Sequence, residues 1–120
     1  MNKIKLTIAI IVITGLLLVS IPVVTAYQVR IGPSGVVKGS ATAWWIGAHL
    51  GGQISSTAPV RVTIHINGEP IYDMVNAQHH FDRCLDKAGT VQATVTNPQN
   101  YEAIVYYYSL TVASHYIVLS

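Results

Sequence analysis

The sequence predicts an all-β protein: a jelly-roll-like antiparallel β-sandwich over residues 27–120, preceded by one N-terminal transmembrane or signal helix over residues 1–26. Three observations carry the prediction. Short runs rich in β-branched and aromatic residues alternate between apolar and polar positions. Turn-forming pairs separate them at near-regular spacing. Beyond residue 26 no segment shows the helical period of an amphipathic helix.

The N-terminal segment sets the address of the protein. Lys3 and Lys5 precede Leu6–Val24, a run without a charged residue. Its length is close to the ~20 residues that a helix needs to cross the hydrocarbon core. Two readings fit. In the first it stays as an uncleaved anchor. In the second it is a signal peptide, with Pro22 breaking the helix and cleavage after Ala26 in Val24-Thr25-Ala26. The length of the run favours the anchor. In both readings the lysines remain cytoplasmic and residues 27–120 face outward.

The elements follow in order. Tyr27–Ile31 is a short strand, and Gly32-Pro33-Ser34-Gly35 a turn or hinge. Ser40–Leu50, with Trp44 and Trp45, reads as a second strand. A weak strand at Gln53-Ile54 lies between Gly51-Gly52 and Ser55-Ser56. Pro59–Asn67 is the clearest strand: Val60, Val62, Ile64 and Ile66 form one face, and Arg61, Thr63, His65 and Asn67 the other. Asn67-Gly68 suits a tight hairpin turn with positive φ at both central positions. Glu69–Met74 returns as a strand, which Pro70 assigns to an edge. Val75–His80 is ambiguous between loop and helical turn, and Phe81–Leu85 is a strand candidate. Lys87-Ala88-Gly89 is a turn. Thr90–Thr96 alternates again, with Val91, Ala93 and Val95 inward. Asn97-Pro98-Gln99-Asn100 has strong turn chemistry. Tyr101–Ala113 is a long β-branched and aromatic run, and His115–Leu119 a last short strand or apolar tail.

Pro59–Met74 (PVRVTIHINGEPIYDM) and Phe81–Val112 (FDRCLDKAGTVQATVTNPQNYEAIVYYYSLTV) together resemble GOLD-type β-sandwiches and pre-peptidase C-terminal domains, including those of small membrane-anchored proteins. The resemblance implies a sandwich that binds or assembles and performs no catalysis. The anchor here precedes the sandwich, whereas GOLD proteins of secretory membranes place it after, so a cargo-receptor role does not carry over. No functional residue is transferred.

Composition narrows the function classes. After residue 26 the basic residues Arg30, Lys38, Arg61, Arg83 and Lys87 balance the acidic residues Glu69, Asp73, Asp82, Asp86 and Glu102. A neutral domain has no electrostatic footprint for nucleic acid. The one cysteine, Cys84, excludes an intramolecular disulfide. A buried small hydrophobe is the expected role; an intermolecular bridge and a ligand or nucleophile are the alternatives. His79, His80 and Cys84 are the candidate metal ligands, with His49, His65 or His115 to complete a site. Their spacing matches neither a structural zinc site nor a blue-copper site, so a solvated loop is preferred and no cofactor is expected. There is no Gly-x-Ser-x-Gly and no phosphate-cradling glycine loop, and the five acidic residues form no distinctive pair.

The aromatic features are Trp44-Trp45 and Tyr106-Tyr107-Tyr108. Alternation in a strand sends one tryptophan and Tyr107 inward and their neighbours outward. Trp44, Trp45 and Tyr107 are the candidates for an interaction surface toward a protein or the membrane. The function expected is that of a non-catalytic, membrane-anchored interaction or structural module at the cell surface, with a protein partner or self-association. The alternatives are a secreted filament or surface-layer subunit that donates Tyr27–Ile31 to its neighbour, and a small metal-binding module.

Overall fold

A computed structural model describes residues 27–120. The expected membrane segment, Leu6–Val24, and the cleavage position after Ala26 lie outside the described residues. No helix among the described residues is long and apolar enough to cross a membrane.

Seven strands account for most of this region: β1 (Tyr27–Ile31), β2 (Val36–Ala43), β3 (His49–Ile66), β4 (Glu69–Cys84), β5 (Gly89–Thr96), β6 (Ala103–Val112) and β7 (His115–Tyr116). All pairings are antiparallel. β3 is the spine. One of its edges pairs with β4 along its length. Its other edge is divided: Leu50–Ser56 pairs with β6, and Arg61–Ile66 pairs with β5. Outside these, β1 flanks β6 and β2 flanks β5. The first half therefore runs β1-β6-β3-β4 and the second β2-β5-β3-β4.

The sheet curls because the long hairpin bends on itself. Drawn straight, the 18 residues of β3 would reach about 55–60 Å at about 3.3 Å per residue. Yet Cys84 sits opposite His49 at one end, while Thr90 donates and accepts hydrogen bonds with Asn67 at the other. The six steps from Cys84 to Thr90 span at most about 20 Å. The two ends of β3 are thus close together. The bend falls at Ser55–Val60, where the β3–β4 register shifts, in a stretch of small residues ending in Pro59. Gly51-Gly52, Ser55-Ser56 and Pro59 do not end the strand, as the sequence suggested; Gly51-Gly52 marks a register shift against β6, and Ser55-Ser56 and Pro59 lie in the bend.

The alternation expected from sequence holds in the core strands. Val60, Val62, Ile64 and Ile66 are fully buried, as are Val91, Ala93 and Val95. They join Leu50, Ile54, Phe81, Val105, Leu110 and Val112 from the other half in a single apolar cluster. Asn67 and Gly68 both adopt positive φ, 51° and 83°, as a tight hairpin turn of that pair requires. Pro70 lies in β4, which pairs with β3 alone and forms the edge of both halves. The ambiguous Val75–His80 belongs to the same strand.

Two further devices close the fold. The tail after β7 buries Ile117 and Leu119, and Ser120 exchanges both backbone hydrogen bonds with Lys38 on β2 (3.0 and 3.1 Å). Gly39 lets the tail approach, because a Cβ there would collide with the Val118 carbonyl. At the end of the strands where β2 begins, Asn97 is fully buried. Its Nδ2 donates to the carbonyls of Ile31, Gly32 and Tyr101, and its Oδ1 accepts from the Gln99 amide. This one side chain ties the β1–β2 turn to the β5–β6 loop.

Candidate functional site

The loops group at two ends. One end carries the β1–β2 turn, the bend of the hairpin and the β5–β6 loop. The other carries the β2–β3 loop, the Asn67-Gly68 turn, the β4–β5 loop and the β6–β7 turn, as the strand registers require. The most exposed apolar group lies at this second end. β2 stops at Ala43, and Trp44, Trp45 and Ile46 stand 69, 54 and 74% exposed. The sequence placed the tryptophans in a strand with one of them inward. The structure places both in the loop, and both face out. The loop is held at its base: the Gly47 amide donates to the Leu85 carbonyl (2.7 Å), and the Leu85 amide to the Ala48 carbonyl (2.8 Å). Gly47 has φ +92°, which suits glycine. Tyr116, 63% exposed, lies at the same end.

Tyr107 is not an accessible contact. It is buried, stacks on Tyr27 with ring centroids 5.4 Å apart, and its hydroxyl accepts from the Leu119 amide. It fastens β1 and the tail to β6.

The residues proposed as metal ligands are not brought together. His79 points inward and is buried. Its Nε2 faces the carbonyls of Val60 (3.2 Å) and Asn76 (3.0 Å), so it carries the proton. Its Nδ1 then accepts from the Tyr72 hydroxyl at 2.6 Å. Burial holds the His79 pKa below its ordinary value, against the opposing pull of the two carbonyls, and burial raises that of Tyr72. Both ring nitrogens are therefore occupied by protein. His80 faces the other way, as alternation requires. Cys84, four residues on, lies about 13 Å along the strand and is exposed rather than buried. His49 forms a hydrogen bond with Asp82 (2.6 Å) across the exposed β3–β4 pair, and that bond lowers the Asp82 pKa. Among the described residues no group of three His, Cys, Asp or Glu side chains converges.

A second surface feature lies over the first half of β3. Gly52 (φ +130°) and Ser109 (φ 47°) mark the register shift between β3 and β6. Beside them Gly52, Gln53, His80, Tyr108 and Ser109 line a shallow depression of about 340 Å³. A polar neighbour of about 420 Å³ shares Gln53 and His80 and adds Ser55, Asn76, Gln78 and His79. Amide, hydroxyl and imidazole groups here suit hydrogen bonding to a polar partner. No local signal in the sequence marks this feature, because it arises where two irregular positions on different strands meet.

No family model and no curated protein matches the chain. Among solved structures, it is similar to an active-site mutant of a family two carbohydrate esterase from Clostridium thermocellum, with a TM-score of 0.45 and 12% identity. The match covers 76% of this chain and 28% of the esterase chain.

Proposed function

We propose that the protein is a membrane-anchored, extracytoplasmic β-domain that works by contact and not by catalysis. The observation that carries the reading is the Trp44-Trp45-Ile46 tip. Three consecutive large apolar side chains are kept in solvent on a loop whose base is hydrogen-bonded in place. Such exposure is costly in water and marks a contact surface. The uncharged run Leu6–Val24 supports the anchor. The order of the two halves, β1-β6-β3-β4 and β2-β5-β3-β4, supports reading the curled sheet as a jelly-roll sandwich. The resemblance of Pro59–Met74 and Phe81–Val112 to GOLD-type and pre-peptidase sandwiches is compatible with the same role.

A second reading, the assembly subunit, draws on β1. Among the described residues this strand comes first, lies at a sheet edge and is followed by the Gly32–Gly35 turn. A strand so placed is able to exchange into a neighbour's sheet.

Topology is tested with one cysteine. The Cys84→Ser/Asn100→Cys variant carries a single thiol on an exposed loop at the end away from the tryptophans. In intact cells expressing the full chain, a membrane-impermeant maleimide labels it if the domain faces outward. Labelling only after lysis refutes the reading.

A further inference from the structure

The direction of β1 determines which end of the domain meets the bilayer. β1 enters the sheet antiparallel to β6, with Tyr27 opposite Tyr107 and Ile31 opposite Ala103. The first residue of β1 therefore lies on the side toward Val112, which is the end that carries Trp44, Trp45 and Ile46. From the level of Tyr107 to that of Val112 is about 13–17 Å, at about 3.3 Å for each of four or five residues. The apolar run ends at Val24, three residues before Tyr27. Three residues reach at most about 10 Å. The tether is thus shorter than the depth at which β1 begins. With β1 standing along the membrane normal, it is too short to hold the tryptophan end clear of the surface.

We infer that the Trp44-Trp45-Ile46 loop is seated in the membrane interface, in the leaflet where the N-terminal segment emerges. This rests on the anchor reading above. Each interfacial zone is about 5–8 Å deep, and tryptophan is enriched there because its ring is apolar and its N–H is wet. Tyr116 stands exposed at the same end. Of the charged groups nearby, Lys87 is ion-paired with Glu69, His49 is bonded to Asp82, and Asp86 is exposed beside Lys87, at the level where headgroups and water reach it. The occupant of the apolar tip is then lipid, and the domain is held at two points, so the depression over Gln53 and His80 is presented at a fixed height and angle.

The chain contains two tryptophans, both in this loop, so emission excited at the red edge, where tyrosine does not absorb, reports on it alone. The full chain is reconstituted into phosphatidylcholine vesicles, with either plain lipid or lipid brominated near the glycerol end of the acyl chain. Vesicle flotation is measured in parallel. The expected result is flotation, blue-shifted emission, and loss of more than half of that emission with the brominated lipid. Flotation with the emission of water-exposed indole and no quenching overturns the inference and leaves the anchor standing. Blue-shifted but unquenched emission also overturns it, because the tip is then covered by protein. Failure to float overturns the anchor reading and the inference with it.

Discussion

His79→Ala removes a buried imidazole at the bend of the hairpin. The Tyr72 hydroxyl loses its acceptor and the Val60 and Asn76 carbonyls lose a donor. An unsatisfied buried group costs about 1–3 kcal/mol. Two carbonyls retaining part of their bonding and one hydroxyl free to turn toward water bring the sum to about 3 kcal/mol. For a domain of this size that lowers the melting midpoint by about 12–24 °C. Tyr72→Phe takes away only the donor to Nδ1 and costs about 1 kcal/mol. The same group imposes a pH dependence. His79 is held neutral in the fold, with its pKa below the ordinary value. As pH falls through about 6.5, the unfolded state takes up a proton that the folded state resists, so stability is full above that value and declines below it, levelling off once the folded pKa is passed. Asp73 and Asp82, lowered by their bonds to Arg61 and His49, add acid sensitivity only at more acidic pH. Thermal melts followed by near-ultraviolet circular dichroism, at about pH 7.5 and about pH 5, test both points. The parent melts lower at the acidic pH, and His79→Ala loses much of that difference. A variant that melts with the parent at neutral pH and keeps its full acid sensitivity would show that the His79 imidazole plays neither part.

Three further outcomes follow from the packing and the hydrogen bonds. Val62→Asp or Ile64→Asp places a carboxylate in the fully buried face of β3 and costs several kcal/mol, whereas Thr63→Asp on the other face shifts the melt by less than about 1 kcal/mol; equal losses in the two classes contradict the assignment of faces. Asn97→Ala leaves the buried carbonyls that it serves without their donor and destabilises by about 2–4 kcal/mol, seen as a drop in the denaturant midpoint at unchanged slope. Gly52→Ala puts a Cβ 2.6 Å from the Leu110 Cα at φ +130° and destabilises by more than about 1 kcal/mol, while Gly68→Ala, with open space around it, costs less; the two melts compared check the bulge.

Much of the fold was legible because its signals are local. Val60–Ile66 and Thr90–Thr96 alternate with a period of two, and the Asn67-Gly68 turn needs only its own backbone. The length of β3 was not legible. Gly51-Gly52, Ser55-Ser56 and Pro59 break a strand by local propensity, but here β4 pairs with β3 on both sides of Ser56–Pro59 and the hairpin carries the chain through its bend. Trp44-Trp45 misled for the opposite reason: high strand propensity suggests burial, and propensity carries no information about where β2 must stop to let the chain cross to the other half. Cys84 follows the same logic. A small apolar thiol is usually buried, but alternation from the inward His79 and Phe81 turns position 84 outward. His79 appeared as one of two adjacent histidines in a polar stretch; only the partner strand supplies the carbonyl of Val60 that explains its burial.

The proposed role rests on an uncleaved N-terminal segment that holds residues 27–120 at the outer face of a membrane. Intact-mass spectrometry of the protein remaining in carbonate-washed membranes is the decisive test. The expected result is retention of the chain with a mass that begins at Met1 or Asn2. A chain that begins at Tyr27, released into the medium or recovered in filaments, would contradict it and favour the strand-exchanging subunit.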